Sequence, residues 1–357
     1  MLTHSGIHAQ QRHKATGLTS PDQQDCCQSI YPFWGYRPES CLLAANFPPS
    51  MSYPSPLIIP PTGGSHKQTF ILLHGRGANA DNFGPALLAH PIPQYANLQA
   101  AFPDAQFVFP TAARRRAVAF NRSLVTQWFD LSSIRKQEER ECLQFEGLRE
   151  SVAFVHELLR AAINEVGASN VVLWGLSQGC ATSLISLLLW DGEPFAACIG
   201  MCGWLPLRVR LEEACADSND GELDDPFARA ENEPKSTSKL KDVAACLGDL
   251  LGLPVPSAEH GSKGVPVILD HGTDDETVPI ELGRHAASFL ESIGLNVTWR
   301  EQPGLRHWYS SKMLEAILDS LATKTSMSPA RARSEPDLPT PSIRRDRRSF
   351  VKKLLRR

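Results

Sequence analysis

The sequence predicts an α/β fold with a mostly parallel central sheet and helices on both faces. Three observations lead there. Short apolar runs without alternation recur along the chain (FILL, QFVF, VVLW, ACIG, PVIL), as expected of strands buried on both faces. Between them lies helical spacing, seen best where Phe145, Leu148, Val152, Val155, Leu159, Ile163 and Val166 recur every three or four positions. The two kinds of segment alternate, the order that lays helices over a parallel sheet.

The elements follow in sequence. KQTFILLHGRG reads as a buried strand from Lys67 that ends in a glycine-containing loop, and Ala105–Ala112 as a second strand. A helix over Phe145–Val166 leads to NVVLWGLSQG, a strand and a sharp turn, and then to ATSLISLLLW, a buried helix. Strands are predicted over Phe195–Pro206 and Val265–Gly272, and a helix over Ile280–Ile293 with Gly294 placed to end it. NVTWREQ is the last strand and Lys312–Leu321 the last helix.

Composition bounds what surrounds this body. The 357 residues are 42% hydrophobic and 21% charged, enough apolar side chain for a sizeable core. A net charge of −3 gives no general attraction for nucleic acid, and none is expected as a partner. Nine cysteines are scattered without paired CxxC elements, which argues against a zinc site and for a reducing compartment. The N-terminal stretch lacks the apolar core of a signal peptide, and no run approaches 18 apolar residues. A cytoplasmic location is expected.

Three segments fall outside the alternation. Residues 1–65 read as a poorly ordered leader rich in Pro, Ser and Gln, with room for one edge strand and an aromatic cluster, Tyr31–Tyr36, that could dock on the body. The domain that carries the alternation runs over 66–324, and within it 207–263 is acidic with few apolar anchors, expected to be a largely disordered surface insertion. Residues 325–357 read as a disordered tail; from Arg331 onward it carries ten Lys/Arg against three Asp/Glu. Its end, 343–357, would present Phe350, Val351, Leu354 and Leu355 on one face of a short basic helix, suited to peripheral contact with an anionic membrane. A solvated tail or a nuclear-localisation-like signal reads equally from the same residues.

The chemistry centres on Gly175-Leu176-Ser177-Gln178-Gly179, a G-x-S-x-G motif with a predicted strand before it and a helix after it. A serine hydroxyl is a weak nucleophile and must be exposed and offered to a base. A strand turning abruptly into a helix does this, and the flanking glycines let the two arms approach. Ser177 is therefore the expected nucleophile. In such a fold the acid and then the base follow the serine in the chain. HGTDDETVP after the Val265–Gly272 strand offers Asp274 and Asp275, both of which qualify locally. His307, in PGLRHWYS after the last strand, is the expected base.

A tetrahedral intermediate also needs two N–H donors. Gln178, after the nucleophile, supplies one, and Arg76 in HGRGANADNF the other. His74 precedes the nucleophile and is expected to be structural.

Together HGRGANADNF, QWFDL (Gln127–Leu131), GLSQG, HGTDDETVP and GLRH resemble the acyl-protein thioesterase and carboxylesterase/phospholipase family of α/β-hydrolases, over about Phe70–Leu321. The resemblance implies the α/β-hydrolase fold and selects Asp275 as the acid. It implies a serine esterase that cleaves thioesters of lipidated proteins, lysophospholipids or small carboxylic esters, with no metal or cofactor. An acyl-protein thioesterase or lysophospholipase-like activity is expected first, and a small-molecule carboxylesterase acting on a specialised metabolite is the alternative. A non-catalytic binding protein would lack one of Ser177, Asp275 and His307. Trp128 and Phe129 are candidate pocket residues, with packing beside the cleft as their other reading. Arg76 stands where the thioesterases often carry leucine. Its side chain would either favour acidic substrates or point to solvent.

Overall fold

The computed structural model describes residues 53–220, 235–256 and 261–330. Among the described residues, nine strands run in chain order: β1 (Leu57–Ile59), β2 (Gln68–Leu73), β3 (Ala105–Phe109), β4 (Arg114–Ala117), β5 (Ser123–Thr126), β6 (Val171–Leu176), β7 (Ala197–Met201), β8 (Val267–Gly272) and β9 (Val297–Gln302). The described helices, numbered here in the same way, are α1 (Ala80–Leu88), α2 (Leu98–Ala101), α3 (Phe145–Val166), α4 (Gln178–Leu188), α5 (Arg208–Asp220), α6 (Lys235–Leu251), α7 (Ile280–Ser292) and α8 (Ser311–Lys324).

Seven strands form one sheet in the order β1-β3-β2-β6-β7-β8-β9. Every pairing in it is parallel except β1 with β3. The unbroken apolar runs occupy its centre: every residue of β6, β7 and β8 is buried. Two apolar layers result. One face packs against α3, α4 and α6 through residues such as Leu148, Val152, Leu184 and Leu247, and the other against α1 and α8 through Phe83, Leu87, Met313 and Ile317. No helix among the described residues is long and apolar enough to cross a membrane.

Two expectations need revising, and one element was not foreseen. The body begins before residue 66, because β1 pairs antiparallel along the edge of β3. Prolines flank this strand, and Ile58 is half exposed, as suits an edge position. The described residues of 207–263 are ordered rather than a loose surface insertion. They include α5 and α6, and Leu211, Leu240, Val243, Leu247 and Leu251 are buried in the main core. Their spacing is helical, but the acidic run between them diluted the signal. The unforeseen element is the hairpin β4–β5. Its alternation is carried by arginine: Arg115 points inward, where it pairs with Glu150 and donates to the Tyr53 hydroxyl. The aromatic cluster at Tyr31–Tyr36 and the basic end at 343–357 lie outside the described residues.

Candidate active site

The site forms at the C-terminal ends of the central strands, where loops from β2, β6, β8 and β9 converge. Ser177 sits between β6 and α4 with φ 57° and ψ −119°. That is a left-handed φ that a side chain adopts only under strain. The turn is held from two sides. The Ser177 N–H donates to the Met201 carbonyl at 2.8 Å, and the Ala181 N–H to the Ser177 carbonyl at 3.1 Å. Glycine is obligatory on both arms. A Cβ at Gly175 would lie 2.3 Å from the Gly179 carbonyl, and one at Gly179 would lie 2.2 Å from the Leu73 carbonyl oxygen.

The three predicted side chains meet. Ser177 Oγ lies 2.9 Å from His307 Nε2, and His307 Nδ1 lies 2.7 Å from Asp275 Oδ2. An ionised carboxylate can only accept, so Nδ1 carries the proton and Nε2 is free to accept from the serine hydroxyl. Asp274 takes the lesser role. It is exposed and accepts from the Thr273 hydroxyl at 2.8 Å. Asp275 turns inward, where burial alone would raise its carboxyl. Hydrogen bonds from His271, His307 and the Val278 N–H outweigh that and hold it well below the usual carboxylate range. Neither His271 nor its bond to Asp275 was foreseen from the sequence.

Cys202, Asp275 and His307 place donor atoms within 4.8 Å of one another. Their chemistry suits a proton relay better than a metal. The Asp275 and His307 atoms are engaged with each other, and burial pushes the Cys202 thiol up to about 12, where it donates to the Trp308 carbonyl.

A family model for phospholipases and carboxylesterases matches residues 55–221 and 234–325. The chain belongs to this family. Membership makes it a hydrolase of carboxylic esters or thioesters. Among its relatives, the carboxylesterase SOBER1 of Arabidopsis thaliana is 27% identical over 252 residues, which are 70% of this chain and 88% of the relative. The acyl-protein thioesterase 1 of Cryptococcus neoformans is 22% identical over 248 residues, 68% of this chain and 82% of that one. The solved structure of Zea mays acyl-protein thioesterase 2 is similar with a TM-score of 0.53 at 21% identity, covering 76% of this chain and 99% of that one. At that identity the likeness speaks for the fold.

The family match breaks at 222–233, inside the acidic run, but spans α5 and α6. This agrees with the packing: the two helices belong to the hydrolase body.

The two candidate pocket residues lie in the core. Trp128 and Phe129 are fully buried. Their backbone holds the residue after the nucleophile: the Trp128 N–H donates to Gln178 Oε1 at 3.0 Å, and Gln178 Nε2 donates to the Phe129 carbonyl at 2.7 Å. The Trp128 indole donates to the His74 carbonyl at 2.8 Å and so ties this segment to the loop after β2. Their role is to position Gln178, the first residue of α4, whose N–H has no acceptor within its own helix.

Arg76 is half-buried rather than directed into solvent. Its guanidinium lies 4.9 Å from the centroid of the Phe120 ring, and burial pushes its pKa down while nearby Asp130 partly offsets that. It borders an open groove of about 590 Å³ whose wall is the β4–β5 hairpin, with Phe120 and Leu124 half exposed. Gly75, the preceding residue, is against Ser177: a Cβ there would lie 3.3 Å from Ser177 Cβ. The groove and the nucleophile therefore flank the same short loop after β2.

His74 is structural, as expected. Its Nδ1 donates to the Gly75 carbonyl at 2.7 Å and its Nε2 accepts from the Ala112 N–H at 3.0 Å. Burial is the main cause that holds its pKa down at about 4. The unfolded chain takes this proton near pH 6.5 and the folded chain only near pH 4, so between them the unfolded state binds more protons. Stability is then expected to fall as pH drops through that window, by up to about 3 kcal/mol from this group. Urea midpoints at pH 7 and pH 4.5 test this. The wild type should lose more between the two than His74→Gln, and equal losses would refute the assignment.

Proposed function

We propose that this chain is a serine esterase in which Ser177 is the nucleophile, His307 the general base and acid, and Asp275 the orienting acid. The observation that carries the reading is the continuous bond path from Ser177 Oγ through His307 to Asp275, set on a strained strand-to-helix turn. Ser177 Oγ attacks the substrate carbonyl carbon and passes its proton to His307 Nε2. The carbonyl oxygen, now an anion, is received by the N–H groups of Arg76 and Gln178. The tetrahedral intermediate collapses, the ester or thioester bond breaks, and the leaving alkoxide or thiolate takes the proton from His307. Water then gives a proton to the same nitrogen and attacks the acyl-enzyme; as the second tetrahedral intermediate collapses, Ser177 Oγ leaves with that proton and the acid is released. Asp275 keeps its charge throughout and steadies the imidazolium.

The substrate assigned first is a fatty-acyl thioester or ester, as of a lipidated protein or a lysophospholipid. The half-exposed Phe120 and Leu124, which line the groove bordered by Arg76, support an apolar acyl chain. The second reading is a small carboxylic ester. It is supported by similarity to a carboxylesterase and by the half-buried Arg76 guanidinium at the edge of the groove. A cytoplasmic setting is supported by Cys180, Cys198 and Cys202, buried thiols that carry no disulfide. The proposed membrane contact through 343–357 rests on the sequence alone.

The test compares a long-chain acyl thioester with a short-chain oxygen ester on wild type and Ser177→Ala. Wild type should cleave at least one, and the variant should lose activity by about 10⁴-fold or more. The preferred substrate decides between the two readings. If wild type cleaves neither and a fluorophosphonate leaves Ser177 unlabelled, the serine-esterase reading fails.

A further inference from the structure

His271, the penultimate residue of β8, is buried beside the site, and the mechanism above does not use it. Its Nε2 lies 2.9 Å from the Val278 carbonyl and 3.2 Å from Asp275 Oδ2. Both partners are acceptors, so Nε2 carries the proton. Its other nitrogen, Nδ1, is buried with no hydrogen-bond partner among the described residues. The neighbour on that side is Gly283 of α7, where a Cβ would lie 2.6 Å from Nδ1. A side chain that could satisfy Nδ1 therefore has no room there.

An unpaired buried nitrogen is destabilising, a cost that an apolar ring of the same shape would avoid. The return on that cost lies at Asp275. Its Oδ1 accepts from the Thr277 and Val278 N–H groups at 2.9 and 2.8 Å, and its Oδ2 accepts from His307 and His271. The two backbone bonds reach only one oxygen. His271 is the donor that fixes the other while leaving room for His307.

We propose that His271 is a positioning residue for the acid: its Nε2–H holds Oδ2 of Asp275 in the plane that faces His307 and sets how tightly the Asp275–His307 pair keeps its proton. The inference rests on the serine-esterase reading. Without this bond Oδ2 has one donor fewer and becomes a stronger acceptor for the His307 proton. The pair then gives up its proton only at higher pH. The other charged or titratable groups facing this cluster do not titrate in the working range. The Cys202 thiol approaches from the end of β7 and is pushed up to about 12 by burial. On the far side of His271, Glu301 of β9 is held down at about 2, chiefly by Arg284, and the Trp299 ring lies 6.0 Å away.

The experiment measures kcat and KM for a p-nitrophenyl ester from pH 5 to 9 in wild type, His271→Phe and His271→Gln. Phenylalanine keeps the ring and removes the donor, whereas glutamine restores an N–H. In His271→Phe, kcat is expected to fall by about tenfold or more with KM little changed, and the acid limb of kcat/KM to move up by about half a pH unit. Glutamine should recover much of both. His271→Asn, polar but too short to reach Oδ2, repeats the test should the phenylalanine variant not fold, and should move the limb in the same direction. An active wild type with an unmoved acid limb in the folded donor-less variants overturns the role of His271, whatever happens to kcat. A wild type inactive towards every ester overturns the serine-esterase reading instead.

Discussion

Asp275→Asn is expected to lower kcat by about 10⁴-fold, while Asp274→Asn leaves it near wild type. The two aspartates are adjacent, yet their surroundings oppose each other. Asp275 Oδ1 accepts from two backbone N–H groups, so an asparagine there must turn its carbonyl oxygen towards them. Its NH₂ group then occupies the Oδ2 position, opposite the donors His307 Nδ1 and His271 Nε2. Two donors cannot share that space, so His307 moves its proton to Nε2, the nitrogen that must accept from Ser177. The base is then lost without any change in shape. Asp274 is exposed, and its described side-chain partner is the Thr273 hydroxyl, which asparagine can equally satisfy. Steady-state hydrolysis of one p-nitrophenyl ester by both variants decides the matter. Comparable losses in the two would remove Asp275 from the role proposed for it.

That pair also shows where sequence reading stops. The nucleophile turn was legible because its glycines and its flanking strand and helix all point one way, and the chain order of serine, acid and base followed from the fold. The choice between Asp274 and Asp275 was not legible from turn chemistry, since both residue positions suit a turn and only the backbone decides which side chain points inward. A family resemblance selected Asp275, and the geometry places that carboxylate on His307. His271 was hidden for a different reason. It continues the buried run VILDHG, where a histidine reads as one more strand residue until its bond to Asp275 is seen. Trp128 and Phe129 show the converse. Aromatic residues near a motif suggest a pocket, but their backbone polar groups, which no side-chain pattern reveals, are what face Gln178.

The second large effect concerns stability. Leu247→Ala in α6 is expected to cost about 2–5 kcal/mol, and Ala245→Gln, two residues away, about 0.5 kcal/mol or less. Leu247 is fully buried in the same core as Leu148, Val155 and Leu184, on a helix packed against its neighbouring helices. Removing its branched end takes apolar surface out of close packing and leaves a cavity that the packed helices cannot close. Ala245 is exposed on the opposite face, and a glutamine there extends into solvent. The pair distinguishes two descriptions of 207–263. Were the segment a disordered surface insertion, as its acidic composition first suggests, neither substitution would change the free energy of unfolding. If Val243, Leu247 and Leu251 form one wall of the hydrolase core, the leucine change alone shifts the urea midpoint, with the slope of the transition unaltered. Composition averages over a segment, whereas burial is decided residue by residue. A few leucines and valines at helical spacing anchor this part of the chain although acidic residues outnumber them.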